Sequence, residues 1–116
     1  MNKVLLVGYL ASDPEVRASQ KGTYVATMRI ATNTYAGKAE DGTARVLTQF
    51  HNLVAFGKAA EFSGAHLHKG RLVSVEGSLQ TSSWDDAASG QKRFKTEVVV
   101  DRLDFVGPKP HEAAAA

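Results

Sequence analysis

The stretch TQFHNLVAFGKAAEFSGAHLHKGRLVSVEGSLQTSSW (Thr48–Trp84) decides how this chain folds, because its residue periodicity changes twice within it. Thr48–Phe56 alternates like a strand and ends at Gly57. Lys58–His68 then places Ala59, Phe62, His66 and Leu67 at i, i+3, i+7 and i+8, which predicts one apolar helical stripe. Gly70 follows where a left-handed C-cap would stop that helix. Gly64 costs the helix about 1 kcal/mol relative to Ala, so a short helix held by packing is expected. Leu72–Trp84 returns to a period of two, and Gly77 inside it marks a bulge or bend.

Outward from this core, strand signals dominate. Lys3–Leu10 is a Val/Leu run closed by the turn cluster Ser12-Asp13-Pro14. In Tyr24–Thr32, Tyr24, Ala26, Met28 and Ile30 share one face, with Val25, Thr27 and Arg29 on the other. Ala36–Ala44 (AGKAEDGTA) reads as a mobile loop and Asp85–Gln91 as a hairpin loop. Phe94–Phe105 is the last strand before Pro108 and Pro110 stop regular structure. Three strands, a helix and two strands predict an all-β chain: a five-stranded OB-fold Greek-key barrel with one short helix between the third and fourth strands. Residues 1–107 are expected to form that single domain, and 108–116 an unstructured tail.

Composition narrows the chemistry. The 116 residues suit one domain with a single core. With no cysteine, disulfides, thiolate metal sites and cysteine nucleophiles are excluded. A net charge of +2 permits an anionic partner without demanding one. MNKVLLVGYLAS (Met1–Ser12) has the outline of a secretion signal, but Gly8 breaks an apolar run that is already too short. Nor does any segment approach the roughly 18 apolar residues of a membrane-spanning helix, so a cytoplasmic protein without a membrane partner is expected.

The functional signal is aromatic parity. Phe50 and Phe56 share a face with Thr48, Asn52 and Val54, opposite Leu53, Ala55, His51 and Gln49. In the fourth strand Val73, Val75 and Leu79 form the apolar set, whereas Trp84 falls with Ser82, Gln80, Ser78 and Glu76 on the wet face. On the bland reading, Phe50 and Phe56 are core and Trp84 is a chance surface ring or an oligomer contact. Against it stand the surrounding cations Arg29, Lys58, Lys69, Arg71, Lys92, Arg93 and Lys95. Exposed rings with cations at strand ends and loops are what single-stranded nucleic acid needs, since bases stack on rings and cations neutralise phosphates.

Five stretches carry a resemblance: NKVLLVGYLASDPEVR (Asn2–Arg17), VATMRIAT (Val25–Thr32), TQFHNLVAFGKAAE (Thr48–Glu61), HLHKGRLVSVEGSLQTSSW (His66–Trp84) and TEVVVDRLDFVG (Thr96–Gly107). In order and over nearly the whole chain, they resemble the bacterial single-stranded DNA-binding proteins of the homotetrameric OB-fold type. The resemblance implies sequence-independent binding and protection of single-stranded DNA in replication, recombination and repair. It assigns stacking roles to Phe50, Phe56 and Trp84, with Tyr35 the nearest candidate for a further aromatic. Lys58 and Lys69 match phosphate contacts, and Arg17 a basic position near the DNA path. Arg29 with the loop cations Lys38, Arg45, Lys92 and Arg93 completes the expected set. The resemblance also implies a dimer of dimers built through Lys3, Leu5, Val7 and His51, and no metal or cofactor.

The departures carry expectations of their own. Phe50 stands where the family usually has Trp. The strand leading into Trp84 reads Gln80-Thr81-Ser82-Ser83, where relatives often carry cations, and Asn52 replaces a common basic residue. A shallower salt dependence is therefore expected. The sequence ends in HEAAAA where relatives continue to an acidic, partner-recruiting tip, so recruitment through such a tip is not expected of the chain as it stands.

Catalysis is not expected. Gly57-Lys58-Ala59 lacks the glycine spacing and the Ser/Thr of a phosphate-binding loop, and His66 and His68 lack the i, i+4 spacing of zinc ligands on a helix. Asp85-Asp86 is a carboxylate pair with no base or nucleophile beside it. The competing reading is a dimeric, primosome-type OB interaction module with weak DNA binding, which the missing cations favour and the exposed rings oppose.

Overall fold

Six strands and one helix form within residues 1–107, the part of the chain that the computed structural model describes. They are β1 (Val4–Leu10), β2 (Glu15–Ala18), β3 (Tyr24–Lys38), β4 (Ala44–Phe56), α1 (Lys58–His66), β5 (Leu72–Asp85) and β6 (Lys92–Phe105). The expected tail, 108–116, lies outside the described residues. The strands are ordered β1-β5-β6-β4-β3-β2, and a further β1–β3 pairing closes the five long strands into a barrel. The helix bridges β4 and β5, so the architecture is the expected OB-fold barrel.

The sixth strand, β2, has a backbone cause. All four residues of β2 are exposed, so no apolar alternation announces it. It exists because the Ser19–Thr23 turn, closed by the Ser19 N–H to the Thr23 carbonyl (2.7 Å) and the Gly22 N–H to the Ser19 carbonyl (2.9 Å), folds it antiparallel onto β3. The segment Ala36–Ala44, expected as a mobile loop, is mostly strand and tight turn. Strands β3 and β4 stay paired out to Lys38 and Ala44, with a bulge after Tyr35. Gly42, at φ +88°, supplies the left-handed turn conformation between them.

Barrel closure depends on two glycines that let backbones approach. A Cβ on Gly8 would stand 2.3 Å from the Ala31 carbonyl oxygen, where β1 crosses from β5 to meet β3. One on Gly77 would stand 2.1 Å from the Val99 oxygen, at the expected bulge, where the β5–β6 register skips Asp101. Leu10, Met28, Ile30, Leu53, Val73, Val75 and Val98 fill the barrel.

The helix packs one residue out of the expected phase. Its buried face is Ala60, Ser63 and Leu67, with Ala59 and Phe62 alongside, whereas His66 is exposed. Ser63 is tolerated there because its hydroxyl donates to the Ala59 carbonyl at 2.7 Å. Gly70 is not the helix cap: α1 ends at an extended Leu67, and Gly70 sits in the following turn, where the Arg71 N–H reaches the His68 carbonyl at 3.1 Å. Gly64 has a packing reason beyond propensity, since a Cβ there would come within 2.6 Å of Val16 Cγ2 on β2.

Candidate nucleic-acid interface

Strand register decides which side chains share a surface. In β3 and β4, Met28 faces Leu53 and Ala26 faces Ala55 inside the barrel. The alternate residues, facing out, pair as Val25 with Phe56, Thr27 with Val54, Arg29 with Asn52, Ala31 with Phe50 and Tyr35 with Val46. Because β4 and β6 run parallel, with Val54 beside Val99, this outer face continues across β6 and β5. There Val99 pairs with Ser78, Glu97 with Gln80, Lys95 with Ser82, and Arg93 with Trp84. One surface across four strands therefore carries Tyr35, Phe50, Phe56 and Trp84, each about half exposed or more.

Cations sit among these rings. The Arg29 guanidinium carbon lies 4.8 Å from the Phe50 ring centre, a cation–π contact that occupies one face of the ring. Arg17 on β2 pairs with Val25, which brings it into the row ending at Phe56. Lys58 opens the helix just beyond Phe56, and Lys69 lies in the turn after it, its N–H held by Asp13 Oδ1 at 2.7 Å. Between the Phe50 and Trp84 ends runs a groove of about 220 Å³ lined by Ser12, Asp13, Glu15, Thr27, Arg29, Asn52, Lys95 and Glu97. Within it Lys95 and Glu97 form an ion pair at 3.4 Å. The groove is thus mixed in charge, matching the sequence's shortage of cations here.

Not every expected contact joins this surface. Lys38, opposite Ala44, lies at the tip of the β3–β4 hairpin, and neighbouring Arg45 alternates to the other face. Lys92 pairs with Asp85, also on the face opposite Trp84. Asn52 and Glu97 share this surface without being expected contacts, and Lys95, expected only as one of the cations around the rings, lies on it as well. The parity of Asn52 with Phe50 is readable in the sequence, but a neutral residue, like the acidic Glu97, does not signal an anionic partner. Phe94, 66% exposed, is a further ring that the sequence places only as a strand residue.

The expected association residues divide. Leu5 (70% exposed), Val7 (59%) and Tyr9 (51%) line the outer face of β1. Lys3 forms an ion pair with Glu76, which raises the lysine pKa and lowers that of the carboxyl, chiefly through their hydrogen bond. Beyond Tyr9 and Leu10 the second edge of β1 has no partner among the described residues. His51 lies on the inner side, half-buried, with Nε2 2.9 Å from Thr32 Oγ1. Among the described residues no cluster of three or more metal-ligating side chains occurs, and no helix is long and apolar enough to cross a membrane.

Comparison with known proteins agrees with this geometry. The model of the single-strand binding protein family matches residues 1–106. Single-stranded DNA-binding protein 1 of Chlorobaculum tepidum is 40% identical over 109 residues, covering 94% of this chain and 67% of that protein. A solved structure described as Plasmodium falciparum SSB in complex with ssDNA superposes with a TM-score of 0.82 at 28% identity, covering 92% of this chain and 96% of that one. A deletion mutant of the single-stranded DNA binding protein from Thermus aquaticus superposes with a TM-score of 0.78, also at 28% identity, over 92% of this chain and 51% of that one.

Proposed function

The chain belongs to the single-strand binding protein family, and from that premise we propose that it binds and protects single-stranded DNA during replication, recombination and repair, without sequence preference and without catalysis. The observation that carries the reading is the single outer face on which Tyr35, Phe50, Phe56 and Trp84 are exposed among Arg17, Arg29, Arg93 and Lys95. Bases stack on the rings, and Arg17, Arg29, Lys58, Lys69 and Arg93 neutralise the phosphates. Lys38, Arg45 and Lys92, at the two hairpin tips, steer the strand from a distance. Duplex DNA binds poorly, because its bases are already stacked and hidden from the rings.

Self-association completes the site. The open edge of β1 together with exposed Leu5, Val7 and Tyr9 supports a homotetramer, assembled as a dimer of dimers, that acts in the cytoplasm. The test uses the single tryptophan. Oligo-dT of increasing length should quench Trp84 fluorescence, and the length at saturation gives the site size; duplex DNA should leave it unchanged. No quenching, and no binding by sedimentation, would overturn the reading in favour of the interaction module.

A further inference from the structure

The tip of the β5–β6 hairpin holds an acidic residue that base stacking leaves without a role. Asp86 is fixed at both ends. Its backbone closes the turn, with its N–H on the Gln91 carbonyl at 2.8 Å and its carbonyl accepting the Gly90 N–H at 2.7 Å. Its Oδ1 accepts the N–H of Ala88 at 2.8 Å and of Ser89 at 3.4 Å, and its Oδ2 takes Arg93 Nε at 3.2 Å. These contacts, the Ala88 N–H first, hold the Asp86 pKa below the usual carboxylate range. Arg93 in turn stands directly across the hairpin from Trp84.

Resting on the DNA-binding reading above, we propose that Asp86 is a positioning residue: it holds Arg93 beside Trp84 so that a nucleotide stacked on the indole meets a pre-aimed guanidinium at its phosphate. The chemistry favours this division of labour. Arginine has five N–H donors in a rigid fork, and engaging Nε leaves both terminal nitrogens free to take a phosphate oxygen each. Side-chain entropy that Arg93 would otherwise lose on meeting DNA is already given up in the free protein. A carboxylate near a polyanion is otherwise a liability, so the sign of its effect on binding separates the two roles.

The experiment measures oligo-dT affinity across a salt series for the wild-type protein, Asp86→Asn, Arg93→Ala and the double variant. Asparagine keeps Oδ1 as the acceptor for the Ala88 and Ser89 N–H groups but turns an amide donor toward Arg93, so the turn survives while the positioning contact is lost. Asp86→Asn should weaken binding by about fivefold and reduce the salt slope by about 0.7, the loss of one phosphate contact on a single strand. Arg93→Ala should do the same, and the double variant should be no weaker than Arg93→Ala. Tighter binding by Asp86→Asn, an unchanged slope, or additive losses in the double variant would overturn the positioning role while leaving DNA binding intact. Failure of the wild-type protein to bind would overturn the DNA-binding reading itself, and this one with it.

Discussion

Arg29 stacks its guanidinium 4.8 Å from the centre of the Phe50 ring, with the two side chains rising from adjacent strands on the outer face of the barrel. The contact backs the ring on one side and leaves the other for a base, so a stacked nucleotide would complete a cation–ring–base sandwich. Phe50→Ala should weaken oligo-dT binding by roughly 1–3 kcal/mol, the range for one base–aromatic stack. Phe50→Trp should tighten it, since a larger ring buries more of the base. Both follow from fluorescence anisotropy with a labelled oligonucleotide. Equal affinity for all three proteins would remove Phe50 from the binding surface.

The rings at the centre of this site were legible in the sequence, and the strand they share shows why. Period-two parity is a property of the backbone, so the placement of Phe50 and Phe56 opposite Leu53 and Ala55 follows once Thr48–Phe56 is a strand. Strand β2 was not legible because its four residues are all exposed and its existence rests on main-chain pairing with β3. The phase of the helix is not legible for a related reason. Helical spacing from Ala59 and Phe62 points to His66, yet the buried position goes to Ser63, a polar residue whose hydroxyl finds its acceptor one turn back. Asp86 could have been suspected from Asp followed by Ser89 and Gly90, an Asx-turn pattern, but its contact with Arg93 is visible only in three dimensions.

Closure of the barrel gives a prediction about stability. Gly8→Ala would bring a methyl group within 2.3 Å of the Ala31 carbonyl oxygen, a backbone atom that cannot move without opening the β1–β3 contact. The variant should lose about 1–3 kcal/mol, the usual cost of forcing extra volume into a packed position. A urea titration checks this, the midpoint falling while the slope holds. Ala at Gly42, where φ is +88° but no atom lies within 4 Å, should lose less and leave barrel closure untouched. Equal losses at the two positions would argue against a specific role for the β1 crossing.

Charge in the groove gives a prediction about salt. Glu97 pairs with Lys95, Asp13 and Glu15 line the same groove, and the strand entering Trp84 carries Gln80 and Ser82 on this face. Fewer phosphates are neutralised than in a relative with cations at those places, so log affinity should fall less steeply with log salt. Gln80→Arg and Ser82→Arg together should steepen the slope by about 1.4, at about 0.7 per contact on a single strand. A wild-type slope as steep as that of a cation-rich relative would refute the expectation.

The outer face of β1 gives the last prediction. Leu5 and Val7 are 70% and 59% exposed, on a strand whose N-terminal half has one edge unpartnered among the described residues. Leu5, Val7 and Tyr9, three exposed side chains on one face of a strand whose first residues have an open edge, form a surface that a second copy would cover. Lys substituted at both Leu5 and Val7 adds two charges there while leaving the barrel core untouched, since both side chains already face outward. The double variant should remain folded by circular dichroism but sediment as a smaller species. Affinity for short oligonucleotides should persist, because the stacking rings lie elsewhere on the chain. Affinity for long ones should drop, as linked copies no longer share a strand. An unchanged sedimentation coefficient would move the association surface away from β1.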